Sequence, residues 1–153
     1  MPTILILDRD GCRRERLVEL GRRIDQTIHI EAFLEAESAL SWLQWHTADL
    51  VIADHTLSGM DPYHLIQHLR LLPHGHELPV LMMTPWENRD LRRCALEAGA
   101  TDLLVTPIDD LEFHARCSNL LAQRRQQHMI HERACRLEQK VADATGEVRR
   151  REH

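Results

Sequence analysis

The sequence predicts an α/β fold in which five parallel strands form a doubly wound sheet with helices on both faces. Five short apolar segments recur along the 153 residues, and each is followed by a stretch of helical periodicity. The third and fourth segments are apolar without alternation, which is typical of strands buried on both faces. Crossovers in such sheets are right-handed, so the carboxyl ends of the strands should meet at one edge.

The strands are predicted from apolar runs that end at polar residues or at proline. The second run, which contains a histidine and a glutamate, is more polar than the first, which indicates a position at an edge of the sheet. The predicted strands are Thr3–Leu7, Ile28–Ala32, Leu50–Ala53, Val80–Met83 and Asp102–Val105.

The helices are predicted from apolar residues spaced three and four apart. Asp61 and Pro62 are suited to the N-cap and first position of the third helix, and Gly99 to a left-handed cap after the fourth. The predicted helices are Cys12–Ile24, Glu35–Trp45, Pro62 to about Leu72, Asn88–Ala98, and Leu111 to the C-terminus.

The last helix is predicted to continue beyond the α/β domain, because it contains no proline and only Gly146 among glycines. We therefore divide the chain into a domain of residues 1–121 and a helical coiled-coil linker of residues 122–153. A heptad pattern predicts a homodimer through this helix, and a solvated linker is the alternative. The seam consists of Phe113, Arg116, Leu120, Gln123, Gln127, Ile130, Ala134, Leu137, Val141, Ala144 and Val148.

Composition argues against a nucleic-acid-binding, membrane-spanning or secreted protein. The net charge is −5, with an acidic excess up to Glu112 and a basic excess from Phe113 onward. The basic residues are interleaved with acids, which favours a solvated helix face over a nucleic-acid surface. No apolar run could span a membrane and no signal segment starts the chain, so we expect a cytoplasmic protein with free thiols.

Polar side chains follow four of the predicted strands, at the edge where strand ends should meet. They are Asp8, Arg9 and Asp10 after the first strand, Asp54 after the third, Thr84 after the fourth, and Thr106 with Pro107 after the fifth. Open α/β sheets place their ligands at the carboxyl ends of the strands, where a nucleophilic aspartate would belong. Asp54 is therefore a candidate nucleophile.

Four segments in order carry a family resemblance: ILILDRD, DLVIADHTLSGMD, PVLMMTP and GATDLLVTPID. Together they resemble the receiver domain of two-component response regulators over about residues 3–121. The resemblance implies a flavodoxin-like receiver fold with strand order 2-1-3-4-5 and an extended C-terminal helix. It also implies that a sensor histidine kinase passes a phosphoryl group to Asp54.

In this family Mg²⁺ is held by an acidic pair, the phosphoacceptor and a backbone carbonyl. The resemblance assigns these roles to Asp8, Arg9, Asp54 and Thr56, but Arg9 is not an acid. Asp10 is predicted to supply the missing carboxylate, in a weakened Mg²⁺ site. The alternative is that Asp8 and Asp10 only cap a helix, but their position facing Asp54 favours a role in the site. Arg9 either replaces the lost positive charge or pairs with Asp54 and closes the site, and the sequence does not choose.

The resemblance assigns the remaining positions as well. Thr84 matches the hydroxyl that contacts the phosphoryl group, and Thr106 replaces the family's lysine. The Thr106–Pro107 bond is expected to be cis. Leu103 stands at the switch position, where the family has a tyrosine or phenylalanine.

The predicted function is a regulatory phosphoacceptor module of a bacterial phosphorelay, not an enzyme. It would pass its signal through the last helix to an output domain outside this chain. The segment LEQKVADATGEVRRREH resembles linkers to HD-GYP cyclic-di-GMP phosphodiesterases. The alternative is a degenerate receiver that acts as a phosphorylation-independent dimerisation or partner-binding scaffold.

Overall fold

The computed structural model describes residues 2–56, 60–73, 75–85 and 88–151, with side chains as far as residue 142. Its five strands form one parallel sheet in the order β2-β1-β3-β4-β5, which confirms the predicted fold class. The strands are β1 Thr3–Leu7, β2 His29–Phe33, β3 Leu50–Asp54, β4 Val80–Pro85 and β5 Asp102–Thr106. The second strand lies at an edge, as its polarity predicts.

Helices alternate with the strands along the whole domain. They are α1 Gly11–Ile24, α2 Ala36–Leu43, α3 Pro62–Leu71, α4 Arg89–Ala98 and α5 Asp110–Arg151. The predicted bounds are correct to within one or two residues. Helix α2 ends at Leu43, before the predicted Trp45, because the amides of Gln44 and Trp45 bond to carbonyls only three residues back. This tighter turn terminates the helix.

The core consists of two apolar layers, one on each face of the sheet. Residues of β1 alternate between them: Leu5 and Leu7 pack in one layer, and Ile4 and Ile6 in the other. The first layer includes side chains of α2, α3 and α4, whereas the second includes side chains of α1 and α5. Every residue of β3 is buried, because helices cover both of its faces.

The predicted helix ends have the expected geometry. The Asp61 carboxylate accepts a hydrogen bond of 2.8 Å from the His64 amide, and Pro62 is the first residue of α3. Gly99 ends α4 with a φ of 112°, a left-handed conformation that glycine adopts without strain. These caps fix where α3 and α4 begin and end.

The chain divides into two units, Met1–Leu121 and Ala122–His153. In the second unit, Ile130, Leu137 and Val141 of the predicted seam are 67%, 63% and 66% exposed. Ala144 and Val148 lie outside the residues whose side chains are described. Among the described residues, no helix is long and apolar enough to cross a membrane.

Candidate functional site

Three buried polar side chains lie at the carboxyl edge of the sheet. Asp54 is the last residue of β3 and is 1% exposed, and Asp8 directly after β1 is fully buried. Thr84 of β4 is also fully buried and follows Met83, the residue paired with Asp54 in the sheet. Because β1 and β4 flank β3, the topology brings the first two carboxylates and the hydroxyl to one place.

Arg13, in the first turn of α1, bridges the two carboxylates. Its Nε lies 2.6 Å from Asp8 Oδ2, and its Nη2 lies 2.9 Å from both Asp8 Oδ1 and Asp54 Oδ2. The hydrogen bond to Asp8 is the main reason that the pKa of Arg13 is raised, and burial opposes the rise. Uncompensated carboxylates are costly to bury, so this guanidinium neutralises much of the charge at the site.

The remaining contacts of Asp8 and Asp54 come from nearby backbone and hydroxyl groups. The Asp10 amide donates to Asp8 Oδ1 at 2.9 Å, and the Thr56 hydroxyl donates to Asp54 Oδ2 at 2.7 Å. His55 Nδ1 lies 3.2 Å from Asp54 Oδ1, but it donates its hydrogen bond to the Met83 carbonyl. Both oxygens of Asp8 and Oδ2 of Asp54 thus accept hydrogen bonds or form ion pairs.

Two buried atoms at this edge lack a hydrogen-bond partner among the described residues: Asp54 Oδ1 and Thr84 Oγ1. An unmet buried polar group costs about 1–3 kcal/mol, so such atoms are uncommon unless a bound group satisfies them. A free carboxylate oxygen is an available nucleophile, and a free hydroxyl is an available donor. A phosphoryl group on Asp54 would use both.

The structure gives Asp10 a different role from the predicted one. Its Oδ1 caps α1 by accepting hydrogen bonds from the amides of Cys12, at 3.0 Å, and Arg13, at 3.2 Å. Coordination of a metal by Asp10 would compete with this cap, so its place as a ligand stays a prediction. Capping holds α1 in the position from which Arg13 reaches the carboxylates.

Arg9 does not form the pair with Asp54 that was one of its two predicted roles. It is exposed and makes no ion pair within the part of the chain that the structure describes. Arg13 makes that contact instead, because the side chain of Arg9 leaves the strand end toward solvent. The arginine that pairs with Asp54 therefore belongs to α1 and does not come from the residues directly after β1.

The loop after β5 completes the site. The Thr106–Pro107 bond is cis, as predicted, and Leu103 of β5 is half-buried against the apolar layer that includes Leu5. A cavity of about 320 Å³ lies between this loop and α1. It is lined by Cys12, Arg13, Arg16, Thr106, Pro107 and Ile108.

Sequence reasoning missed Arg13, although one signal pointed to it. A helix N-terminus carries partial positive charge, so an arginine in the first turn is unfavourable unless an anion lies nearby. The first turn of α1 contains Arg13 and no acidic residue. Such an arginine after a strand that ends in aspartate indicates a carboxylate partner.

Comparisons with known proteins show the family of this chain. The family model of the response regulator receiver domain matches residues 4–118. The cyclic di-GMP phosphodiesterase response regulator RpfG of Xanthomonas campestris is 36% identical over 97% of this chain and 39% of its own length. A probable cyclic di-GMP phosphodiesterase of Vibrio cholerae is 26% identical over 97% of the chain and 33% of that protein. The chain thus spans well under half of these two relatives.

Solved structures show the same fold. A putative response regulator from Chloroflexus aurantiacus has a TM-score of 0.74 and 32% identity, covering 80% of this chain and 99% of that one. The receiver domain of the Pseudomonas aeruginosa sensor kinase PA1611, solved with magnesium in its active-site cleft, has a TM-score of 0.72 and 17% identity. It covers 79% of this chain and 98% of that one.

Proposed function

Since this chain belongs to the response regulator receiver domain family, we propose that Asp54 accepts a phosphoryl group from a sensor histidine kinase. One observation carries the proposal: Asp54 Oδ1 and Thr84 Oγ1 are buried at the same sheet edge and have no hydrogen-bond partner among the residues that the structure describes. In the reaction, Oδ1 attacks the phosphorus of a phosphohistidine. The new P–O bond replaces the P–N bond, and the imidazole leaves.

Thr84 is proposed to hold the transferred group. Its hydroxyl is fully buried, so a hydrogen bond to a phosphoryl oxygen would form where water does not compete. The main-chain position of Thr84 on β4, next to β3, is set by the pairing of Met83 with Asp54. The hydroxyl would thus distinguish the phosphorylated state from the resting state. We propose that Leu103 and Thr106 contribute to this switch from β5 and its loop.

The proposed cofactor is Mg²⁺, for which the oxygen donors of the site are chemically suited. Asp8, Asp54 and the backbone carbonyl of Thr56 would hold it, and the ion supplies positive charge that offsets charge on the transferring oxygens. We expect the site to bind Mg²⁺ weakly, because Arg9 replaces an acid and Asp10 serves as a helix cap. The magnesium in the PA1611 receiver supports this choice of ion.

The signal is proposed to leave through α5, to an output domain outside this chain. The names of the Xanthomonas and Vibrio relatives support a cyclic-di-GMP phosphodiesterase as that output. The present chain is then the regulatory part, and any catalysis belongs to the other domain. We further propose that α5 pairs with a second copy through its heptad seam.

Beryllofluoride, which mimics an aspartyl phosphate, tests the site without knowledge of the kinase. Fluorine NMR of the protein with Mg²⁺ should show a saturable bound signal, and Asp54→Asn should abolish it. Thr101→Val, which changes a threonine away from the site, should keep the signal. No bound signal at millimolar Mg²⁺ would contradict phosphorylation and leave a phosphorylation-independent scaffold as the function.

A further inference from the structure

We propose that Arg13 is the resident cation of this site and sets its affinity for Mg²⁺. The guanidinium occupies the oxygens that the ion needs, so Mg²⁺ binds only when Arg13 leaves them. This inference deepens the proposed function and rests on it for the identity of the ion. It makes Arg13 a residue that determines which cation balances Asp8 and Asp54.

The competition follows from the contacts. Arg13 donates to both oxygens of Asp8 through Nε and Nη2, and the same Nη2 contacts Asp54 Oδ2. Three of the four carboxylate oxygens thus face one guanidinium. A fork of this kind binds a carboxylate through two parallel hydrogen bonds and is among the stronger ion pairs. A metal bridging the two aspartates would need some of the same lone pairs.

The bridge by Arg13 offsets negative charge at the site. Asp8 and Asp54 are almost completely buried, and burying two neighbouring carboxylates is costly unless a cation lies beside them. Arg14 reaches only the backbone carbonyl of Asp8, and His55 donates to Met83. Within the residues that the structure covers, Arg13 alone forms ion pairs with both aspartates. Arg13 offsets one of the two negative charges, so the resting fold has a counter-cation at this site without a metal.

Arg13 also has space beside it into which its guanidinium can move away from the aspartates. Its side chain is 26% exposed, whereas the aspartates that it contacts are 0% and 1% exposed. It lines the cavity of about 320 Å³ between α1 and the end of β5, where Thr106 lies. Threonine is short, so no long side chain from position 106 fills this space. Rotation of the guanidinium into the cavity would free the carboxylates while keeping its charge close by.

The test compares Arg13→Gln with Arg9→Gln in the full chain. Both changes remove one arginine charge near Asp8, but only the first removes the bridge. Mg²⁺ affinity is measured by isothermal titration calorimetry, and melting temperature is measured in EDTA and in Mg²⁺. We expect Arg13→Gln to bind Mg²⁺ about ten- to a hundredfold more tightly, the factor that corresponds to one charged hydrogen-bonded pair.

The melting temperatures should follow the same pattern. Arg13→Gln should melt lower than the parent in EDTA, because two carboxylates lose their cation, and Mg²⁺ should restore much of the loss. Arg9→Gln should respond to Mg²⁺ as the parent does. Arg13→Lys keeps the charge without the planar fork, so its Mg²⁺ affinity should fall between those of the parent and Arg13→Gln.

Equal or weaker Mg²⁺ binding by Arg13→Gln and Arg13→Lys, relative to Arg9→Gln, would overturn the inference. If Arg13→Gln does not fold in EDTA, the lysine variant still decides. Failure of the proposed function looks different: the parent and Asp54→Asn would then give the same beryllofluoride spectrum, whatever the order of Mg²⁺ affinities among the arginine variants.

Discussion

Thr84 carries a buried hydroxyl that has no hydrogen-bond partner within the described part of the chain. Thr84→Val keeps the shape of the side chain and removes that hydroxyl. We expect the free energy of unfolding of the unphosphorylated protein to rise by about 1 kcal/mol, because an unmet polar group is no longer buried. Beryllofluoride should bind more weakly to the variant. Denaturant unfolding and fluorine NMR measure the two effects.

Thr101→Val is the matched control for that prediction. The Thr101 hydroxyl accepts a hydrogen bond of 3.0 Å from the Val80 amide, so its loss leaves this amide without its partner. The control should be destabilised by about 1 kcal/mol, opposite in sign to Thr84→Val. Equal destabilisation of the two variants would mean that Thr84 has a partner in the resting state.

Cys117 should make stability depend on alkaline pH. Burial raises the pKa of its thiol from 9.0 to about 12. Above pH 9 the unfolded chain therefore releases a proton that the folded chain retains, and the free energy of unfolding falls as pH rises toward 12. Below pH 9 this contribution is constant. The fall should be smaller in Cys117→Ala, and Cys94→Ala, which changes an exposed cysteine, should leave it intact.

Among the secondary-structure elements, α3 has a side chain, Arg70, that hydrogen-bonds to two neighbouring segments. Arg70 donates from Nη1 to the carbonyls of Gly75 and Leu78, and from Nη2 to the carbonyl of Gly99. It thereby joins the end of α3 to the segment before β4 and to the cap of α4. Burial lowers the pKa of Arg70. A half-buried guanidinium whose hydrogen bonds go to backbone carbonyls indicates a structural role.

Arg70→Met should destabilise the domain by about 2–4 kcal/mol, because three carbonyls lose a charged donor. Urea unfolding measures the change. Arg93→Met is the comparison: Arg93 is 71% exposed and its contact with Asp90 is 3.6 Å, so the expected change is below about 0.5 kcal/mol. Similar effects of the two substitutions would show that the carbonyl contacts of Arg70 contribute nothing specific.

The strands and helix ends were predictable where the nearby sequence contains an apolar run or a capping residue. Apolar runs identified all five strands, and Asp61 and Gly99 marked helix ends by their own chemistry. The bridge by Arg13 was not predictable from periodicity, since it depends on how far a long side chain reaches from α1 across to β3. Asp10 caps α1, and its role as a metal ligand stays a prediction, because a cap and a metal ligand look alike in sequence.

For the molecule as a whole, we predict association through α5. The seam residues Ile130 and Leu137 are exposed within their unit, and a second copy could cover them. Sedimentation equilibrium should show a dimer for the full chain, and Leu137→Asp should shift it toward monomer. Gln139→Asp adds the same charge two residues away, off the seam, and should leave the dimer unchanged. A parent chain that stays monomeric at high concentration would contradict the prediction.

The ion pairs between Arg13 and the two aspartates also affect how the domain responds to the ion concentration of its solution. A free ion binds by mass action, so its occupancy follows its concentration in solution. Arg13 is part of the chain, and its effective concentration at Asp8 and Asp54 is set by its position in the first turn of α1. The folded domain therefore carries its own counter-ion, and dilution or a chelator cannot remove it.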